Sequence, residues 1–223
     1  PQQSLAVIAV PGSTPGVKVT GYLDTAGHRA TSSPVMEFKD VRVPVGNIIG
    51  APGDGLAICR RSFSWTAALI GAACVGVMRA AFEAALAFAK SDKRSGAVPI
   101  IEHQNVGYML ADIKMRIEAA RYLTWKACHD LDMSGGQADE IAISTKVYSS
   151  ELCVQVVYDA MRVVGVDSYT DKLPFTRLMQ DALCFPLYDG GNMGVRRRQL
   201  HDGLRRPDFR SMAAAEGEWK AGL

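Results

Sequence analysis

Several common chemistries have no footing in this chain of 223 residues. Its five cysteines, Cys59, Cys74, Cys128, Cys153 and Cys184, are widely spaced and form no CxxC pair. The four histidines, His28, His103, His129 and His201, form no spaced ligand set. Together these absences argue against a structural zinc site or a disulfide framework, so no metal ligand is assigned. An odd number of cysteines among apolar neighbours reads as buried free thiols in a reducing, cytoplasmic compartment. No GxGxxG or GxxxxGK run occurs, which removes the Rossmann and P-loop readings. The formal net charge is only +2, too little for a domain-wide basic face, so nucleic acid is not an expected partner. No signal peptide is evident. The most apolar stretch, around Ala67 to Ala81, is interrupted by Arg79 and reads as too short to span a membrane.

What is present divides by period. Leu5 to Val10 is a short strand-like run, Pro11 to Gly16 a turn cluster, and Val17 to Tyr22 and Val35 to Val43 alternate. Pro44 to Gly55 is rich in proline and glycine and ends this first part. About fifty residues of strand could hardly build an independent core, so they should pack on something else. The chain also begins at Pro1 and runs almost directly into a strand, as if entered partway through a domain.

After Gly55 the period becomes helical. Leu56 to Lys90 is long and alanine-rich, with Leu69, Ala72, Ala73, Gly76 and Ala80 suggesting a small-residue packing face. Further helices are expected over 102–133, 138–164, 174–184 and 192–204, separated by Gly135-Gly136, Gly165 and a glycine-rich hinge. Met109, Ile113, Ile117 and Ala120 form a core stripe. Long helices with short joins imply an antiparallel bundle. The fold class is therefore α+β, strands first and bundle second.

The chemistry concentrates in Tyr188-Asp189-Gly190-Gly191-Asn192-Met193-Gly194-Val195-Arg196-Arg197-Arg198. A carboxylate beside a glycine hinge can approach a ligand closely. A guanidinium brought near it favours the ionised, proton-accepting form. Arg196 lies seven positions on and can pair with Asp189 if the hinge folds back. The alternative is that Asp189 caps a helix beginning near Gly191. Arg94, on the loop Lys93-Arg94-Ser95-Gly96, suits a pyrophosphate, because its planar fork grips two oxygens; a solvated turn is the alternative.

Together these segments resemble the flavin-dependent acyl-CoA dehydrogenase superfamily. The run Val35-Met36-Glu37-Phe38-Lys39-Asp40-Val41-Arg42-Val43-Pro44 is similar to that family's exit from its middle β-domain, and Lys90-Ser91-Asp92 and Ile101-Glu102-His103-Gln104 are further matches to the family. The resemblance implies the C-terminal half of a middle β-domain over 1–54 and a C-terminal helical bundle over 55–223 that carries the catalytic loop. It also implies FAD, with Arg94, Gln104, Arg162, Gly165, Gly190 and Gly191 as cofactor-binding candidates, some of them acting across a dimer interface.

Two departures sharpen this. The family's Gln-x-x-Gly-Gly-x-Gly-Tyr segment reads Arg162-Val163-Val164-Gly165-Val166-Asp167-Ser168-Tyr169, and its Tyr-Glu-Gly-Thr motif reads Tyr188-Asp189-Gly190-Gly191. Aspartate is one methylene shorter than glutamate, and a misplacement of about 1 Å can lower a rate about 100-fold. The stretch Cys184 to Gln199 is most similar to the nitroalkane oxidases, a group within the superfamily that uses an aspartate base.

That resemblance implies FAD-dependent oxidation of a nitroalkane by oxygen to an aldehyde or ketone, with release of nitrite and hydrogen peroxide. Asp189 would take the α-proton, Arg196 would pair with it, and Thr66 would supply an active-site hydroxyl, with Ser64 as the alternative. The alternatives are an acyl-CoA dehydrogenase with an acyl substrate, another flavin oxidase or monooxygenase on this fold, or a helical assembly subunit without activity. Expected partners are the N-terminal portion of the enzyme and further copies in a homodimer or homotetramer.

Overall fold

The computed structural model describes residues 5–219. It contains four short strands, β1 (Val7–Ile8), β2 (Val17–Tyr22), β3 (Pro34–Phe38) and β4 (Ile48–Ile49), followed by five α-helices: α1 (Gly55–Ser91), α2 (Gln104–Ser134), α3 (Asp139–Val164), α4 (Phe175–Cys184) and α5 (Arg197–Leu204). The chain forms two compact units, one up to Phe63 and one from Ser64 onward.

In the first unit β2 and β3 pair antiparallel from Val17↔Phe38 to Tyr22↔Pro34, with an irregularity between Val19 and Gly21. β1 pairs with β4 through Val7↔Ile49 and Ile8↔Ile48. β3 is shorter than the alternation over 35–43 predicts. Asp40 adopts a left-handed φ of 52°, which turns the chain out of the ladder. Every residue of β3 is exposed, and Phe38 retains 57 % of its surface. The buried hydrophobic clusters described all lie from Ala67 onward.

The helical unit carries the core. Ile113, Ile117 and Ala120 of α2 are buried as the stripe predicts, and Met109 packs against them. Gly135 ends α2 in the left-handed region at φ 62°, donating its N–H to the last turn, while Gly136 N–H reaches Leu131 O at 2.8 Å. This is the glycine termination that satisfies terminal carbonyls. The short join lets α3 pack back along α2. Asp139 and Glu140 occupy the first turn of α3, where the helix dipole favours negative charge. Gly165, at φ 75°, closes that helix.

Two expectations are corrected. The small-residue face of α1 points outward: Leu69 is 63 % exposed, and Ala72, Ala73, Gly76 and Ala80 are also exposed. The buried stripe is Ala67, Gly71, Cys74, Met78, Ala81, Ala85 and Ala89. Both faces consist of small apolar residues, so composition alone does not choose the phase. The unused face is interrupted by the exposed Arg79–Glu83 pair. Gly71 marks the closest crossing, since a Cβ there would lie 2.5 Å from Thr145 Cγ2 and 2.9 Å from Thr124 Oγ1. The second correction concerns the thiols. All five are free, but only Cys74 and Cys153 are fully buried, and Cys59 near the start of α1 is exposed. By length and composition α1 could cross a membrane, a test that the core helix of a bundle also passes.

Candidate active site

Asp189 follows α4 on a turn with unusual backbone geometry. Asp189, Gly190 and Gly191 have φ values of 52°, 79° and 20°. Aspartate tolerates the left-handed region better than most residues, and such conformations persist where surrounding bonds impose them. Here Asn192 N–H donates to Pro186 O at 2.9 Å, and Arg196 N–H donates to Gly191 O at 3.3 Å. The latter closes one wide π-type turn over Asn192–Arg196 before α5 begins. Wide turns of this kind re-aim side chains relative to a regular helix.

The turn brings three of the predicted residues together. Thr66 Oγ1 donates to Asp189 Oδ1 at 2.7 Å. Arg196 Nη2 donates to Asp189 Oδ2 at 3.0 Å, and its Nε donates to the Asp189 backbone carbonyl at 2.9 Å. The carboxylate and guanidinium side chains are 7 % and 2 % exposed, so the ion pair is desolvated. The arginine thus grips both ends of the aspartate. Asp189 is not a helix cap: the N-cap of the π-turn is Gly191, and no side-chain cap bond is made. Gly190 lies under the arginine, since a Cβ there would be 3.0 Å from Arg196 Nε. Ser64, the alternative hydroxyl, instead donates to Asp139. The phase of α1 therefore presents Thr66 to Asp189.

The remaining candidates lie elsewhere. Arg94, itself at φ 47°, pairs with Asp167 at 2.7 Å, donates to Val164 O and stacks 4.9 Å over the Phe88 ring. Gly165 lies beside it, with a Cβ position 3.6 Å from Arg94 Nη2. Gln104, the first residue of α2, donates to Tyr108 Oη at 2.5 Å. Arg162 is exposed and pairs with Asp159 at 3.1 Å. In type this donor set fits a pyrophosphate-bearing cofactor: Arg94 is 38 % exposed on its loop, and the Gln104 amide is exposed at a helix start.

Two buried polar residues, one beneath the turn and one within it, are not among the sequence candidates. Lys146 of α3 is fully buried, and Asn192 is 1 % exposed. Lys146 Nζ donates to Asn192 Oδ1 at 2.7 Å. Burial pushes the lysine down to about 8, opposed by the nearby Asp189 carboxylate. Helix phase holds the signal: Ala142, Lys146, Ser149, Cys153 and Val156 fall on one buried face, and a lysine there is out of place.

Comparison with known proteins places these features. The family model for the acyl-CoA dehydrogenase C-terminal domain matches residues 53–204. The nitroalkane oxidase of Podospora anserina is 39 % identical over 205 residues, covering 91 % of this chain and 48 % of its own length. That of Fusarium oxysporum is 41 % identical over 207 residues, covering 91 % of this chain and 47 % of its own. The chain thus spans about half the length of the curated relatives it matches. A solved nitroalkane oxidase, a flavoprotein studied for the roles of one aspartate and one arginine in its reaction, superposes with a TM-score of 0.92 at 38 % identity. The match covers 97 % of this chain and 53 % of that one, and its two residues stand seven positions apart, as do Asp189 and Arg196. Another, an active-site serine-to-alanine variant crystallised with 1-nitrohexane, gives a TM-score of 0.89 at 39 % identity, covering 96 % of this chain and 52 % of its own. With its bundle and its 152 consecutive matched residues from 53 to 204, the chain belongs to the acyl-CoA dehydrogenase family.

Proposed function

We propose that this chain carries the proton-abstracting site of an FAD-dependent nitroalkane oxidase. The observation that carries the reading is a buried aspartate held between a hydroxyl and an arginine, Thr66–Asp189–Arg196. The α-hydrogen of a nitroalkane is acidic, so a positioned carboxylate can take it directly. A general base of this kind contributes about 10²- to 10⁴-fold. Thr66 and Arg196 fix both carboxylate oxygens in direction, so proton transfer needs little reorganisation. The Arg196 guanidinium is the charged hydrogen-bond partner that sets the direction of the carboxylate. Arg94 and Gln104 are the residues of this chain that would hold the cofactor, with Gly165 packed beside Arg94, Arg162 on the last turn of α3, and Gly190 and Gly191 bordering the base.

When bound, FAD supplies the two-electron acceptor that the protein lacks. In the overall reaction a nitroalkane, oxygen and water give an aldehyde or ketone, nitrous acid and hydrogen peroxide, which balances in atoms and electrons. The exposed strands of the first unit need a covering surface. We assign that role to a segment equivalent to the rest of the relatives' length, together with a second copy in a dimer or tetramer. A cytoplasmic setting accords with the free thiols.

The test is anaerobic mixing of the full-length holoprotein with nitroethane. Flavin bleaching with release of nitrite is expected. Bleaching by a saturated acyl-CoA, with none by primary nitroalkanes, would replace this reading with acyl-CoA dehydrogenation. Absence of bound flavin would return the chain to a scaffold role.

A further inference from the structure

A buried cation lies beneath the turn that carries Asp189 and has no part in the mechanism above. Lys146 is 0 % exposed, at a position of α3 where the neighbouring turns bury Ala142, Cys153 and Val156. An aliphatic residue would fill such a place without desolvating a charge. The ammonium instead donates to Asn192 Oδ1 at 2.7 Å. Asn192 in turn donates through Nδ2 to Ser150 Oγ at 2.9 Å and Glu151 Oε1 at 3.0 Å. Its backbone N–H holds Pro186 O at 2.9 Å. One side chain of the turn is therefore fastened to α3 by three hydrogen bonds, and its backbone closes the loop around Asp189.

We propose that Lys146 is a positioning residue for the Asp189 base, acting through Asn192 to hold the Pro186–Arg196 turn in the geometry that directs the carboxylate. This rests on the reading of Asp189 as the base. The charged groups that bear on Lys146 are Asp189 and Arg196 of the turn and Glu151 on its own helix; the Cys74 thiol of α1, pushed well above its ordinary range by its bond to Cys153 and by burial, stays neutral. Burial opposes the ammonium most strongly and Arg196 adds to it, whereas Asp189 and Glu151 favour it. Loss of the proton from Lys146 at alkaline pH converts a charge-assisted bond to Asn192 into a weaker neutral one. The turn then loosens, and the Asp189 carboxylate that it carries is held less firmly.

The test uses Lys146→Met, close in shape but uncharged, in the full-length holoprotein. Flavin reduction by neutral nitroethane should fall about 10-fold or more, because misplacement by about 1 Å can lower rates about 100-fold. Reduction by the preformed nitroethane anion, which needs no base, should stay within about 3-fold of wild type on the same ground. A second reading is independent of turnover: deuterium exchange at the amides of 186–196 should quicken in the variant, with the rest of α2 and α3 unchanged. In the wild type the same segment should lose protection above neutral pH, beyond the intrinsic rise in exchange, and the variant should lack that extra loss. Should Lys146→Met not fold, Asn192→Ala, which removes the acceptor of the ammonium together with the bonds to Ser150 and Glu151, should give the same pattern. Wild-type rates on both substrate forms with unchanged exchange would overturn the proposal. So would equal losses on both forms with exchange raised throughout the bundle. A wild-type protein inert to both forms would remove the nitroalkane reading instead, and unchanged exchange in 186–196 would then still refute the role of Lys146.

Discussion

Replacing Asp189 separates its two duties, because asparagine and alanine fail differently. The Asp189–Arg196 pair is almost wholly desolvated, with side chains 7 % and 2 % exposed. Removing one member of a buried pair costs about 3–5 kcal/mol, chiefly through the orphaned charge. Arg196 keeps two other acceptors, the backbone carbonyl at 2.9 Å and Gln199 Oε1 at 3.3 Å. Asp189→Ala should therefore fall at the low end, about 3 kcal/mol. Asparagine retains one oxygen. Its amide should turn that oxygen to Arg196 and its NH₂ to Thr66, whose hydroxyl can accept as well as donate. The loss is then that of charge assistance, about 1–2 kcal/mol. Neither variant can take a proton, so reduction by neutral nitroethane should drop at least about 100-fold in both. Asp189→Asn should still be reduced by the nitroethane anion at near wild-type rate. Urea midpoints of the holoproteins, read beside stopped-flow flavin reduction with both substrate forms, test each statement. Equal destabilisation by Asn and Ala would contradict the buried-pair account. Loss of the anion reaction in Asp189→Asn would contradict the role of base.

Thr66→Ser should keep most activity, whereas Thr66→Val removes the donor 2.7 Å from Oδ1 and should slow neutral nitroethane about 10-fold or more, the worth of one charge-assisted bond, while sparing the anion. Gly71→Ala places a methyl 2.5 Å from Thr145 Cγ2 at the closest helix crossing, and overpacking of this kind should lower stability by about 1–3 kcal/mol in a denaturant titration. The Lys146 shift from 10.5 to about 8 means that the unfolded chain holds this proton more tightly, a cost of about 3 kcal/mol at neutral pH. That cost is fully present below pH 8 and is relieved as pH rises toward 10.5, so this residue makes stability increase across that window. Lys146→Met should abolish that increment in urea midpoints measured from pH 7 to 10, and an unchanged increment would refute it.

Most of the helical unit was legible because long, periodic segments ended by glycine leave little freedom. The boundaries at Gly135-Gly136 and Gly165 follow from backbone conformations that glycine adopts readily. The phase of α1 was not legible: alanine and glycine occur on both of its faces, and only the crossing with Thr124 and Thr145 selects the buried one. The pairing of Asp189 with Arg196 could be anticipated from a glycine hinge between them. Thr66 with Ser64 as its alternative came from the resemblance, and only the phase of α1 in three dimensions turns Thr66 to Asp189 and Ser64 to Asp139. Lys146 escaped notice because polar residues surround it in sequence: Ser144 and Thr145 before it, Tyr148, Ser149 and Ser150 after it.

The strained turn and the buried lysine explain each other. Three consecutive positive φ values followed by a π-type turn are not a conformation the chain adopts unaided; each non-glycine departure costs about 1–3 kcal/mol and persists only if its surroundings impose it. The glycines relieve two of the three positions, leaving Asp189 as the residue under strain. The compensating bonds come from Arg196 on one side and from Asn192, fastened to α3, on the other. An aliphatic core at position 146 would be cheaper in solvation, but it would leave the Asn192 oxygen buried without a donor. The charge in the core is thus tied to the direction of the carboxylate, and a substitution that improves the packing of α3 should do so at the expense of proton transfer.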